Sequence, residues 1–191
     1  TIMHNKLPSY FFFMKTFNKE HIRKLDKKIA IIYRNYSDVH VKKNIMEIKK
    51  ICKKDGRKFF LSNNFKLAIN LGLDGVYLPS FNNVQNTKKI NSRKKFTIIG
   101  SAHSIKEIKI KESQGAELIF ISPLFKNDKN KKNLDIIKFN LLASQTDKKV
   151  VALGGINTRN LIRLRMLKAY GFAGISYFKK NDKIKVQKWK I

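Results

Sequence analysis

The sequence predicts an α/β protein built as a small (β/α)8 TIM barrel. Three observations predict it. Short continuous apolar runs recur, of the kind that form strands buried on both faces. Longer amphipathic runs separate them at helical spacing. The alternation repeats about eight times within 191 residues, and strand–helix alternation on that scale calls for a parallel sheet that closes on itself. A doubly wound open sheet is the alternative, but no G-x-G-x-x-G follows the first apolar run, as a dinucleotide fold would require.

The expected strands are Tyr10–Phe17, Ile29–Arg34, Phe59–Ser62, Gly75–Leu78, Phe96–Ser101, Glu117–Ser122, Val150–Gly154 and Gly174–Phe178. The first, with Phe11, Phe12 and Phe13, has the hydrophobicity of a short signal segment. It lacks a small-residue cleavage pattern and reads as a buried strand. Because the chain begins at Thr1 rather than Met, a few residues are expected to precede it. Asp38 can cap a helix whose apolar face carries Val41, Ile45, Ile48 and Ile51, ending at Gly56. Cys52 lies on the apolar side of that helix and reads as core. Further helices are expected over Phe65–Leu71, over Ile105–Gln114 behind Ser104, over Leu134–Ser144, and over Arg159–Tyr170 starting at Thr158. The segment 82–95 is polar, either a loop or a poor helix.

The net charge of +29 at pH 7 is extreme. With 42% hydrophobic residues the chain is not a disordered basic tail. Lysines occupy polar positions from Lys15 to Lys190 rather than one face, so the charge reads first as a solvated surface and second as an RNA-binding surface. Either way a positive field attracts anionic small molecules. No apolar run approaches the ~18 residues of a membrane span. One cysteine excludes an internal disulfide framework and points to a reducing, cytoplasmic setting. The whole of 1–191 reads as one domain with a basic C-terminal tail, 179–191, that Trp189 could anchor.

In a barrel, function lies at the C-terminal strand ends. Walking that rim gives Arg34, Asn63, Asn82, Ser101, His103, Ser122, the Gly154-Gly155 pair and Lys179. Paired glycines after a late strand let backbone N–H groups approach a phosphate, with a helix dipole behind them; the plainer reading is a tight turn with positive φ. Lys179 adds a cation to the same phosphate. His103, between Ser101 and Ser104, is a proton shuttle or a satisfied surface residue. Arg34 closes an apolar strand, so its charge meets a phosphate or a structural ion pair. His4, His21 and His40 have no such context.

Several segments together resemble the thiamine phosphate synthases and their thiazole-tautomerase relatives. Gly72-Leu73-Asp74-Gly75-Val76-Tyr77-Leu78 is similar to the family's G-A-D-G-V-H-L, and Gly100-Ser101-Ala102-His103-Ser104 to its G-x-S-x-H-S. Gly115-Ala116-Glu117 through Ser122-Pro123-Leu124-Phe125 resembles G-A-D-Y…G-P-x-F, Ala152-Leu153-Gly154-Gly155-Ile156 resembles A-I-G-G-I, and Gly171-Phe172-Ala173-Gly174-Ile175 resembles G-A-x-G-V. The likeness runs from Ile29 to Phe178.

The resemblance implies a barrel enzyme of thiamine biosynthesis, joining a pyrimidine pyrophosphate to a thiazole phosphate with Mg2+ aiding pyrophosphate departure. Arg34 would then contact the pyrophosphate, Ser101 would lie near the pyrimidine, and Gly154 and Gly155 would hold the thiazole phosphate. Asn63 and Asn82 stand where the synthases place the Asp ligands of Mg2+. Neutral amide oxygens substitute poorly for carboxylates around a hard cation, so no residue is assigned as a metal ligand. Asn35 and Tyr36 replace the family's Lys after the second strand. After Phe125 the family's Pro-Thr and later Lys give way to Lys126-Asn127 and a Lys-rich run, in which Lys129, Lys131 or Lys132 is the expected stand-in for that later Lys. Asn63, Asn82 and Ser122 remain expected substrate contacts, and His103, Ser101 and Arg34 the catalytic set. The alternatives are a metal-independent tautomerase working through His103, a phosphate-ligand barrel without turnover, and the RNA-binding protein.

Overall fold

The computed structural model describes residues 7–37, 41–84, 96–126 and 132–180. Outside it lie the expected cap at Asp38, most of the uncertain segment 82–95, Lys129 and Lys131, His4 and His40, and Trp189 with the tail from 181. Eight parallel strands close in sequence order: β1 Tyr10–Met14, β2 Ile29–Tyr33, β3 Phe59–Ser62, β4 Gly75–Leu78, β5 Thr97–Ala102, β6 Leu118–Ile121, β7 Lys149–Leu153 and β8 Gly171–Gly174. Among the described residues six α-helices accompany them: α1 Lys19–Lys24, α2 Val41–Asp55, α3 Phe65–Asn70, α4 Ile105–Ser113, α5 Asp135–Ala143 and α6 Ser176–Lys180. This is the (β/α)8 barrel that the alternation predicts.

Alternation within each strand sorts side chains into two cores. Phe11, Phe13, Ala30, Ile32, Phe60, Tyr77, Ile99, Leu118, Phe120, Val151 and Ala173 fill the barrel interior. Four rings dominate it. Phe11 and Phe120 meet edge to face at 4.9 Å, Phe13 and Tyr77 at 5.0 Å, and Tyr77 and Phe120 at 5.6 Å. The intervening residues, among them Tyr10, Phe12, Ile29, Ile31 and Val76, face outward and are buried under the helices. Apolar demand on both faces is why the strands read as continuous runs.

Three expectations need correction. The last strand is Gly171–Gly174, not Gly174–Phe178; Tyr177 and Phe178 sit on α6 and pack against Phe172, whose ring stacks on Phe178 at 5.5 Å. Gly-Phe-Ala-Gly looks like a turn by composition. It is a strand because a Cβ at Gly171 would collide with the Ser9 carbonyl, where β8 seals against β1 through Phe172 N–H to Ser9 O at 3.0 Å. The expected helix over Arg159–Tyr170 is a six-residue 3₁₀ segment, Leu161–Met166. Asn157 Oδ1 holds the Arg159 and Asn160 amides before it, and Asn140 grips the Met166 carbonyl and the Lys168 amide after it. These side chains satisfy the backbone that a longer helix would have used. The first strand stops at Met14 rather than Phe17, and α1 follows, capped by the Asn18 side chain on the His21 amide at 2.9 Å.

The N-terminal end of the barrel is held by a residue that the rim-centred sequence reading passed over. Arg57, 3% exposed, donates to the carbonyls of Asp26 at 2.7 Å, Ile29 at 2.8 Å, Leu25 at 3.1 Å and Ile22 at 3.3 Å. One guanidinium thereby ties the end of α1 and the start of β2 to the start of β3. Asp74 does similar work beside it, accepting from Lys58 Nζ at 2.9 Å and from the Phe59 amide at 3.0 Å.

Replacing Arg57 with Met leaves these buried carbonyls without their donor, so Arg57→Met should lower stability by about 3 kcal/mol, read from urea unfolding. Burial pushes the Cys52 thiol up to about 12. At pH 8 it should therefore resist iodoacetamide in the folded protein and react once urea unfolds the chain.

Candidate active site

Parallel closure puts all eight strand C-termini on one face of the molecule. Arg34, Asn63, Asn82, Ser101, His103, Ser122, Gly154 and Gly155 all stand at or just beyond those ends. Lys179 does not follow its strand directly. It is an exposed residue within α6, its amide bonded to the Ile175 carbonyl.

Arg34 is half-buried, its amide on the Met14 carbonyl at 2.9 Å and its guanidinium carbon 5.1 Å from the centre of the Phe13 ring. Stacking on an aromatic face fixes the plane of a guanidinium while leaving its N–H edges free to bind an anion. Among the described residues no carboxylate forms an ion pair with it. Beside it stands Tyr77. Burial pushes its phenol up to about 12, against the opposing influence of a hydrogen bond with the Ser101 side chain and of the Arg34 charge. A phenol so placed is a neutral O–H donor at any physiological pH. On the neighbouring strand ends the Tyr36 hydroxyl pairs with Ser62 Oγ at 2.8 Å. Tyr77 and Tyr36 are absent from the rim read off the sequence. The signal for Tyr77 lay in its position, where the similar family segment carries His on an otherwise apolar strand.

His103 is exposed, but its ring is oriented. Nδ1 lies 2.6 Å from the Ser122 carbonyl, which can only accept, so Nδ1 carries a proton there. Glu107 Oε2 takes the His103 amide at 2.6 Å, and Ser104 Oγ takes the Glu107 amide at 3.3 Å. This reciprocal pair is a capping box shifted by one residue, and it sets the imidazole at the mouth of β5.

Gly154 and Gly155 adopt φ of 98° and 70°. Their lack of a side chain serves the turn first. A Cβ on Gly155 would collide with the Phe125 carbonyl, and the β6 loop is stitched to the turn by Leu124 N to Leu153 O at 2.9 Å and Phe125 N to Gly154 O at 3.1 Å. Arg163 braces this clasp, over the Phe125 ring at 4.9 Å and on Asp135 at 2.8 Å. Among the described residues the turn leaves the Gly155 and Ile156 amides without a hydrogen-bond partner. The helix dipole expected behind them is missing, because the 3₁₀ segment begins only at Leu161.

Asn63 and Asn82 are brought together. Asn82 Nδ2 donates to Asn63 Oδ1 at 2.6 Å. Asn63 takes a positive φ of 55° to reach this position. Behind Asn82 lies a polar pair from α4. Lys111, fully buried, donates to Gln114 Oε1 at 2.9 Å and to the Asn82 carbonyl at 2.6 Å. Gln114 Nε2 reaches the Asn82 carbonyl at 3.0 Å, Asn82 Oδ1 at 3.1 Å and the Val84 carbonyl at 2.9 Å. Burial lowers the Lys111 ammonium to about 8. A hard divalent cation needs about six oxygen ligands, carboxylates above all. The Asn63–Asn82 pair spends its oxygens internally and does not fit one.

Two clefts lie away from this rim. One of about 370 Å3 is lined by Lys49, Arg57, Lys58 and Asp74 at the opposite pole, and one of about 530 Å3 by Arg23, Glu47 and Lys54 on the helix side of the barrel. Residues at the N-terminal pole of this fold act in stability, and Arg57 and Asp74 do so here. Among the described residues no helix is long and apolar enough to cross a membrane.

The closed parallel barrel places this protein in the (β/α)8 class, whose enzymes work at the C-terminal strand ends. Comparison with known proteins narrows the class. The chain belongs to the thiamine monophosphate synthase family, which it matches over residues 19–178. It is accordingly a thiamine biosynthesis enzyme of the transferase type. A putative thiamine-phosphate synthase 2 of Aquifex aeolicus is 28% identical over 169 residues, covering 87% of this chain and 89% of the relative. A thiamine-phosphate synthase of Prochlorococcus marinus is 35% identical over 124 residues, 62% of this chain but only 35% of the longer relative. The structure of a thiamine phosphate pyrophosphorylase from Pyrococcus furiosus superposes with a TM-score of 0.71 at 18% identity, covering 91% of each chain, which bears on the fold.

The clasp around Gly155 sets a prediction. Gly155→Ala should cost at least about 2 kcal/mol in urea unfolding, with or without added phosphate. Equal stability of variant and wild type would place the Phe125 carbonyl elsewhere.

Proposed function

We propose that the rim catalyses the coupling of a pyrimidine pyrophosphate to a thiazole phosphate, with release of pyrophosphate. In this substitution a bond from the thiazole forms as the bond to the leaving pyrophosphate breaks, and negative charge accumulates on the departing oxygens. What the chain must supply is donors and cations where that charge develops. The observation that carries the reading is Arg34, held over Phe13 beside Tyr77 and Ser101 with no carboxylate ion-paired to it among the described residues.

Arg34 takes the leaving pyrophosphate in this proposal. The Tyr77 and Ser101 hydroxyls donate next to it, and the Gly155 and Ile156 amides hold the thiazole phosphate. Asn63, Asn82 and Ser122 contact substrate, and Lys179 and Lys132 add cationic charge around the mouth. His103 serves as a positioned rim group rather than as the source of catalysis. Any Mg2+ that the family implies would need ligands other than the Asn63–Asn82 pair. A single barrel domain over 1–191 and a cytoplasmic setting belong to the same reading, supported by a strand set that closes from Tyr10 to Gly174 and by one covered thiol. The tautomerase, ligand-only and RNA-binding alternatives are not favoured by the family likeness.

Arg34→Met should lower kcat/KM for thiamine phosphate formation at least 100-fold, the order expected when a charged donor to a developing oxyanion is lost, with thermal stability nearly unchanged. His103→Ala should cost less than about tenfold. Full activity in Arg34→Met would sink the assignment, and a far larger loss at His103 would favour proton-transfer chemistry instead.

A further inference from the structure

The buried Lys111 on α4 has no place in the sequence pattern and no hydrogen-bonded carboxylate among the described residues. A fully buried ammonium is expensive unless its N–H groups are satisfied, so its partners bear on its use. They form a chain with one polarity. The Lys111 ammonium can only donate, so Gln114 must turn Oε1 toward it. Gln114 Nε2 then faces Asn82 Oδ1, and the backbone carbonyls of Asn82 and Val84 on the same nitrogen demand that orientation independently. Asn82 Oδ1 also accepts the Val84 amide at 3.1 Å, another group that can only donate. Asn82 Oδ1 thereby faces two donors, sharing the two Gln114 Nε2 hydrogens with the Asn82 and Val84 carbonyls. Its Nδ2 points to Asn63 Oδ1, so Asn63 Nδ2 is the outer end of the relay.

Neither amide in this chain can flip without setting donor against donor. A carboxamide pair has two oxygens with four lone pairs and two nitrogens with four hydrogens. Here three lone pairs are taken by Asn82 Nδ2, Val84 N and Gln114 Nε2, while a single hydrogen is spent inside the pair. What remains for a ligand is three N–H donors and one lone pair, a surface suited to an anion.

We propose that the relay Lys111→Gln114→Asn82→Asn63 is a polarised donor site that binds the pyrophosphate group directly, without a bridging divalent cation. Lys111 and Gln114 are its positioning residues: they touch no substrate and, with the Val84 amide, hold the face of the Asn82 amide that the substrate meets. The proposal rests on the reading that this rim handles pyrophosphate. It specifies the means, with N–H groups standing where an acidic site would place carboxylates and metal. The Lys111 charge beneath Asn82 favours the same sign of ligand.

The test uses inorganic pyrophosphate and the whole chain, with binding measured by calorimetry in EDTA and again in excess Mg2+. The wild type should bind with nearly equal affinity in both. Gln114→Glu keeps a partner for Lys111 but can no longer donate to Asn82 Oδ1, and it sets a negative charge behind the donor pair. That variant should lose about tenfold in EDTA, the scale of one hydrogen bond to a charged group. Asn63→Asp with Asn82→Asp should lose at least that much in EDTA and regain affinity with Mg2+. A merely structural role for Gln114 would shift the melting temperature and leave the EDTA-to-Mg2+ ratio at its wild-type value. Wild-type binding abolished by EDTA overturns the proposal. Unchanged affinity in both rim variants also overturns it, assigning pyrophosphate to surface lysines. Thiamine phosphate formation, assayed in parallel, separates the two readings. Strictly Mg2+-dependent turnover keeps the synthase and removes the relay; metal-free pyrophosphate binding that depends on the relay, without turnover, keeps the relay and removes the synthase.

Discussion

The seam between β8 and β1 is the constraint on which the rest of the molecule depends. A parallel sheet of eight short strands is stable only if its last edge meets its first, because open edges would leave unpaired backbone groups. That meeting is close enough that position 171 admits no side chain, since the Ser9 carbonyl occupies the space. Once the seam is shut, the interior closes around Phe11, Phe13, Phe60, Tyr77 and Phe120. The same closure turns eight strand ends that are far apart in sequence into one rim.

The two poles of the barrel use polar groups in opposite ways. At the N-terminal pole Arg57 spends its guanidinium on backbone carbonyls, and Asp74 spends its carboxylate on Lys58 and the Phe59 amide. Their hydrogen-bonding capacity is used internally, and their effect is stability. At the C-terminal pole Arg34 has an aromatic ring behind it, and among the described residues it has no carboxylate partner and the Gly155 and Ile156 amides have no hydrogen-bond partner. Uncommitted donors on a chain of net charge +29 suit anionic substrates. Lys111 joins the two logics. It is buried like a structural residue, yet its bonds run toward the rim and determine how the rim amides are turned.

Much of the rim was legible because its residues sit at strand ends, and strand ends follow from apolar runs. Arg34, Asn63, Ser101, His103 and Gly154-Gly155 were found that way. Tyr77 escaped because a tyrosine inside an apolar strand looks like core, and only the inward pleat at the strand end reveals its hydroxyl. Lys111 escaped because its helix is rich in lysines of which the others described are solvated, and no local pattern marks the one that turns inward. The shifted β8 and the 3₁₀ segment share one cause: Gly171 and the side chains of Asn140 and Asn157 act through partners distant in the chain.

The sequence by itself determined the architecture, since both-face burial of short runs and the turns between them are written in local hydrophobicity and punctuation. It also determined the family, through motifs whose order survives divergence. The tertiary structure alone decided which polar groups are free and which are spent. That is a property of pairs: whether Arg34 meets a ring or a carboxylate, and whether Asn82 offers oxygen or nitrogen, depends on neighbours that the closed barrel brings from other strands and helices.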